Sequence, residues 1–298
     1  MARQESARHW QYPELPGVDL LKARYVHKTF VRHTHDAFVI AAITQGVESF
    51  RCGGTLERAG VGGLALVNPD TPHTGQAGVP EGWTYSVLYP EPRTVAAIAA
   101  ETTSIRGTAG FASAVVDDPY VCHLVTEVHR AAEEGNALAA DTLLKVAVAR
   151  LLRENGGPLP ERVARTAGAR NAERARAILE QRMADPPSLE KLAAELGTGP
   201  FALLRAFRDL YGMPPHNWLT DARVRRARHL LDAGTAPAEA AVTVGFTDQP
   251  HLNRHFSRIV GVPPGAYRLE RARTRGAAPE QAVVADARTY KTRSGSCS

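Results

Sequence analysis

The spacing of apolar positions changes partway along this 298-residue chain. Between residues 25 and 90, short apolar runs (FVIAAI, GLALVNP, WTYSVLYP) alternate with Gly, Pro and Asn turn signals. Strands bounded by turns at near-regular intervals predict a small sandwich or barrel. From about Pro119 the spacing is helical. YVCHLVTEVHRAAEEG and ALAADTLLKVAVARLLRENGG predict two helices parted by a turn at Gly135-Asn136. Leu138, Thr142, Val146, Ala149 and Leu152 form one face of the second helix. Residues 156–170, rich in Gly, Pro and Arg, read as a linker. Residues 171–270 are helical throughout, and 271–298 lack periodicity and are expected to be disordered. The expected fold is therefore multidomain: an all-β barrel over 1–117, a helical pair over 118–155, and an all-α domain over 171–270.

Within the helical part the chain repeats itself. ALLRAFRDLYGMPPHNWL (202–219) returns 49 residues later as HLNRHFSRIVGVPPGAYR (251–268), with Leu203, Arg205, Phe207, Gly212 and Trp218 falling on Leu252, Arg254, Phe256, Gly261 and Tyr267. In the first copy Ser188 is placed to cap a helix, Glu190 sits in its first turn, and Gly197 is placed to end it. A tight turn and a second helix from Pro200 to about Tyr211 complete a helix-turn-helix pattern. At 100° per residue, Leu203, Ala206, Phe207 and Leu210 face inward, while Phe201, Arg205 and Arg208 face out with Leu204 at the flank. In the second copy Leu252, Phe256 and Ile259 face inward, and Pro250, Arg254 and Ser257 face out beside His251 and Asn253. Residues 215–234 predict one long spacer helix. Two readers on one spacer suit successive major-groove faces of a duplex, about 34 Å apart.

Composition adds a charge asymmetry. The chain is 44% hydrophobic and 22% charged, as in ordinary globular proteins. Residues 1–169 carry a net −2, residues 170–272 a net +4 and residues 273–298 a net +3. A basic C-terminal part points to a polyanionic partner. Arg205 and Arg254 are the best base readers, because arginine can bond both O6 and N7 of guanine. Asn253 and His251 stand beside them; Phe201 and Leu204 suit thymine methyls, with Pro250 at the helix start. Arg208, Arg223, Arg225 and Arg258 are assigned to phosphates, which position a protein without reading sequence. Three scattered cysteines fit no disulfide framework, and no apolar run suits a membrane or a secretory signal, so a cytoplasmic setting is expected.

Residues 171–270 resemble the DNA-binding domain of the AraC/XylS family of transcription regulators, most closely in AAVTVGFTDQPHLNRHFSRIVGVPPGAYR. The resemblance implies two helix-turn-helix motifs joined by a long helix and bound at promoters. Where the family commonly has polar groups, this chain has Leu204 and Pro250.

The N-terminal half carries RHTH (32–35), whose His33 and His35 point to one side of an extended segment, and a later His73. Three such histidines match a divalent metal site in kind. They also resemble the cupin motif, although the carboxylate expected a few residues after His35 is missing. The histidines can instead bond an effector directly or play a structural part. The family resemblance implies a cupin-like barrel holding a small effector, with His33, His35, Phe38, His73, Trp83 and Tyr85 as its lining. The expected partners are promoter DNA, the effector, a second copy of the chain through the helical pair, and RNA polymerase for an activator. The alternative is a metal-dependent cupin enzyme fused to a DNA-binding domain.

Overall fold

The computed structural model describes residues 5–160 and 166–276. Nine strands come first: β1 (Ser6–Gln11), β2 (Val18–Tyr25), β3 (Thr29–His33), β4 (Val39–Gly46), β5 (Glu48–Cys52), β6 (Thr55–Ala59), β7 (Gly63–Val67), β8 (His73–Ala77) and β9 (Trp83–Pro90). Helix α1 (Pro92–Thr102), strands β10 (Ala109–Phe111) and β11 (Val115–Asp117), and helices α2 (Pro119–Glu133) and α3 (Ala137–Asn155) follow. The strands form a six-stranded sheet ordered β1-β2-β9-β4-β7-β11 and a four-stranded sheet ordered β3-β8-β5-β6. N-terminal β-barrel and C-terminal helical domain agree with the architecture expected from the sequence.

The large sheet is covered on both faces, which explains its nearly continuous apolar runs. Val39, Ala41, Ile43, Ala65, Val67, Tyr85 and Val87 point into the barrel. Ile40, Ala42, Leu64, Leu66 and Leu88 point outward onto the helices. Phe38 has the parity of Ile40 and packs edge-on against Phe111 in the outer layer. It is therefore not a wall of the barrel interior, contrary to expectation. Trp83 is inside the barrel but packs among Tyr25, Phe30 and Tyr85 and does not line the cavity described below.

Asp118 starts α2 by accepting bonds from the Tyr120 and Val121 amides, and Asn136 starts α3 in the same manner from Ala139. The buried face of α3 is Ala140, Leu144, Ala147, Val148, Ala149, Leu151 and Leu152, laid on α2, α1 and β10. The stripe read from sequence is split: Ala149 and Leu152 lie on this buried face, while Leu138, Thr142 and Val146 are exposed. Apolar residues nearly encircle this helix, so its spacing alone does not choose a side. The expected linker is partly ordered. Strand β12 (Gly156–Pro158) pairs with β10, and α4 (Ala167–Gln181) begins before residue 170; residues 161–165 lie outside the described residues.

The C-terminal domain continues with α5 (Leu189–Glu195), α6 (Pro200–Tyr211), α7 (Pro215–Asp232), α8 (Pro237–Thr243), α9 (Gln249–Val260) and α10 (Pro264–Gly276). Pairs α5/α6 and α8/α9 each enclose a small core, one around Leu203 and Phe207, the other around Leu252 and Phe256. Gly212 and Gly261 end α6 and α9 in the left-handed conformation, with φ of 70° and 90°. Helix α10 runs beyond the boundary expected for a disordered tail, and Arg271 within it is 1% exposed. Its buried contact is a charge, so no apolar spacing marked it. The rest of the expected tail, 277–298, lies outside the described residues. No helix among the described residues is long and apolar enough to cross a membrane.

The two domains are docked through polar groups. Arg271 bonds Asp19 at 2.6 Å and lies 3.0 Å from Asp232. Arg228 bonds Asp36 at 2.7 Å. The Thr34 hydroxyl donates to Asp221 at 2.6 Å and accepts from Arg225 at 2.6 Å.

Candidate effector cavity and nucleic-acid interface

Strands β3 and β8 are antiparallel neighbours with His33 opposite His73. The extended chain beyond β3 brings His35 to the same side, so three imidazoles meet inside the barrel mouth. Their ring centroids lie 4.3–5.1 Å apart. His33 and His73 close the same local loop: each Nδ1 lies against the carbonyl two residues upstream, at 2.7 Å for Val31 and 2.9 Å for Thr71. A carbonyl only accepts, so both rings carry their proton on Nδ1 and present a bare Nε2 lone pair. The His33 and His35 Nε2 atoms are 3.1 Å apart. Burial holds all three below the usual histidine range, His33 at about 4 and His73 at about 3, so they are neutral near pH 7.

These rings open on a cavity of about 40 Å³. Tyr85 lines it, as expected. Glu48, Tyr89, Phe30, Phe50 and Ile259 also line it, and no sequence motif marks them. Glu48 is buried and pushed up to about 8 by desolvation, so near pH 7 most of it is an uncharged carboxyl group. In the run VESF it has the look of an ordinary polar strand residue; only the pairing of β5 with β8 turns it inward. Ile259 comes from the other domain. It belongs to α9, the second reading helix, and reaches across to the barrel mouth.

On the outer face of α6, Phe201 is 76% exposed, and Arg205 and Arg208 are exposed with it. On α9 Pro250, Arg254 and Arg258 are exposed, with Ser257, His251 and Asn253 half-buried beside them and Leu204 half-buried on α6. Asp248 caps α9 by accepting from the His251 amide at 2.7 Å. Arg205, Arg208, Arg254 and Arg258 make no side-chain hydrogen bond or ion pair among the described residues, which leaves them available to a polyanion.

Two of the expected phosphate contacts are employed elsewhere. Arg223 donates from Nε and Nη2 to the Met183 carbonyl, at 3.0 and 2.7 Å, and lies over Phe246. Arg225 turns to the barrel, to Thr34 and to Asp70 at 3.5 Å. Both look outward by helical periodicity, but the faces they occupy on α7 are covered by other parts of the molecule.

The barrel also grips both reading helices at matching points of the repeat. Arg32 donates to the Gly212 carbonyl at 2.5 Å, and Tyr25 donates to the Gly261 carbonyl at 3.2 Å. Lys28 adds a 2.6 Å bond to the Ser257 carbonyl. A barrel cavity docked against a double helix-turn-helix domain defines a ligand-responsive DNA-binding regulator.

Comparison with known proteins agrees. The chain matches the AraC-like ligand binding domain over residues 15–152 and a helix-turn-helix domain over residues 192–270. It is 25% identical to the HTH-type transcriptional regulator YbfI of Bacillus subtilis over 241 residues, 79% of this chain and 86% of that protein. It is 29% identical to the virulence regulon transcriptional activator VirF of Yersinia enterocolitica over 110 residues, 37% of this chain and 41% of that protein. Its fold is similar to that of ToxT from Vibrio cholerae, with a TM-score of 0.53 at 12% identity, covering 90% of this chain and 97% of the other. The chain belongs to the AraC family of transcription regulators.

Proposed function

We propose that this regulator reads promoter DNA with Arg205 and Arg254 on the matched helices α6 and α9, while an effector in the barrel cavity biases how those helices are held. The observation that carries the reading is the placement of Ile259, a single residue belonging both to the second reading helix and to the cavity wall. An occupant of the cavity touches the reader directly, and any difference in its affinity for two arrangements shifts their populations.

Phe201, Leu204, Pro250, His251 and Asn253 complete the base-facing surface, and Arg208 and Arg258 contact phosphates. The chain acts in the cytoplasm, and as a regulator rather than an enzyme, a reading supported by its match to a ligand-binding and a helix-turn-helix domain of transcription regulators. An activator of this kind also meets RNA polymerase.

Selection of preferred duplexes from a random pool by the full chain tests the reading. Arg254→Ala is expected to lower affinity for the selected site by roughly 1–3 kcal/mol and to relax one base position. Arg258→Ala is expected to weaken all sequences alike and flatten the salt dependence. An unchanged site and affinity for Arg254→Ala removes its base-reading role.

We further propose a homodimer formed through the outer face of α3, where Leu138 is 78% and Val146 39% exposed. Sedimentation of the Leu138→Glu, Val146→Glu variant is expected to show a monomer where the native chain shows a dimer.

A further inference from the structure

We propose that His33, His35 and His73 bind one divalent transition-metal ion, and that this ion is the signal passed from the barrel to α7. The proposal rests on the regulator reading above and names the effector of its cavity.

Size comes first. A cavity of about 40 Å³ holds a few waters, whereas organic ligands occupy roughly 300–1,000 Å³. The occupant that fits this arrangement is an ion with a water or two. Donor chemistry comes second. Neutral imidazoles suit zinc, copper, nickel or iron, and ligating histidines are characteristically fixed by a bond from the other ring nitrogen. His33 and His73 have that bond, to the Val31 and Thr71 carbonyls.

Distance comes third. Two nitrogens held by one tetrahedral ion lie about 3.3 Å apart. Here His33 and His35 are at 3.1 Å, and all three ligand atoms lie within 4.8 Å of one another. A modest turn of one ring closes the set. Without an ion, the short contact is explained by a His35 Nε2–H donating to His33. Binding the ion moves that proton to Nδ1 of His35 through solvent, so the ring stays neutral and all three Nε2 lone pairs face the metal.

The route outward follows from alternation along residues 33–36. His33 and His35 point into the cavity; Thr34 and Asp36, between and after them, point to α7. Thr34 is held by Asp221 and Arg225, and Asp36 by Arg228 and His229. A doubly charged ion on one side of this segment attracts the buried Asp221 carboxylate on the other. It also fixes the backbone from which the latch to α7 is built. Ion binding therefore tightens the docking of the helix that carries both readers.

The test uses the full native chain stripped by chelation, then titrated with zinc or cobalt. One ion per chain is expected, with the visible absorption of a four-coordinate cobalt site and a raised melting temperature. His73→Gln is expected to weaken zinc binding by roughly 100-fold or more, beyond the 10–100-fold carried by supporting contacts. Affinity for the selected duplex is expected to change by roughly 5-fold or more on adding zinc. Thr34→Val is expected to keep the ion but lose that change.

Failure of the native chain to bind zinc or cobalt overturns the metal site. An ion that binds without altering DNA affinity overturns its role as signal, and a Thr34→Val variant that responds like the native chain overturns the route. Loss of specific DNA binding in both metal states instead sinks the regulator reading, while the ion stoichiometry stands by itself.

Discussion

Arginines divide by what surrounds their guanidinium groups. Those on the outer faces of α6 and α9 end in solvent; Arg223, Arg225, Arg228 and Arg271 end on carbonyls, carboxylates or hydroxyls of this chain. Arg271 is the most committed. Asp19 and the Tyr267 hydroxyl lie at 2.6 Å, and burial of its charge is offset by Asp19, Tyr267 and Asp232. Removing one member of a buried pair leaves the other charge uncompensated, typically at a cost of about 3–5 kcal/mol. Arg271→Met is therefore expected to lower stability by an amount in that range, measured by denaturant unfolding. A double Asp19→Asn, Arg271→Met variant should lose less than the sum of the singles, because the stranded carboxylate is gone.

At the scale of elements, the two readers were legible because everything that specifies them is local. Helical spacing, the Ser188 cap, the left-handed Gly212 and Gly261, and the repeat itself all lie within a few turns of chain. The cavity was legible only at its histidines and Tyr85. Glu48 depends on strand pairing, and Ile259 and Arg225 depend on a second domain that periodicity does not see. Phe38 was misplaced because a sheet covered on both faces has no polar side to set its parity.

Gly261 tests how tightly these elements meet. Its φ of 90° disfavours any side chain, and a Cβ there would lie 2.5 Å from the Tyr25 hydroxyl. Gly261→Ala is expected to destabilise the chain by about 1 kcal/mol or more from the backbone alone. It should also open the contact between α9 and the barrel, detected as faster amide exchange in α9. Gly197→Ala, where φ is also positive but no atom lies within 4 Å, should show only the backbone penalty.

Over the whole molecule, buried neutral histidines set an acid limit. Burial, joined at His9 by the neighbouring Arg271, lowers His9 and His129 to about 3. In the unfolded chain each takes up a proton near pH 6.5, and in the folded chain each does so only near pH 3. Stability from this source is complete above about 6.5 and falls as pH drops toward 3, by about 1.4 kcal/mol per pH unit for each site. His129 lies against the Val87 carbonyl at 3.1 Å, a bond a glutamine amide can also make. His129→Gln is expected to flatten the loss of stability between pH 6 and 4 by roughly one site's share, followed by unfolding at several pH values.

The paired grip of Arg32 and Tyr25 on the carbonyls that close α6 and α9 makes the barrel a caliper, fixing the gap between the two readers from outside the domain that contains them. On the proposed reading by Arg205 and Arg254, a promoter whose two subsites are spread by half a turn of the duplex is expected to bind more weakly while both bonds hold. Tolerance of operator spacing thus becomes a property of the effector domain, and evolution can retune which promoters respond by altering barrel residues that never touch DNA.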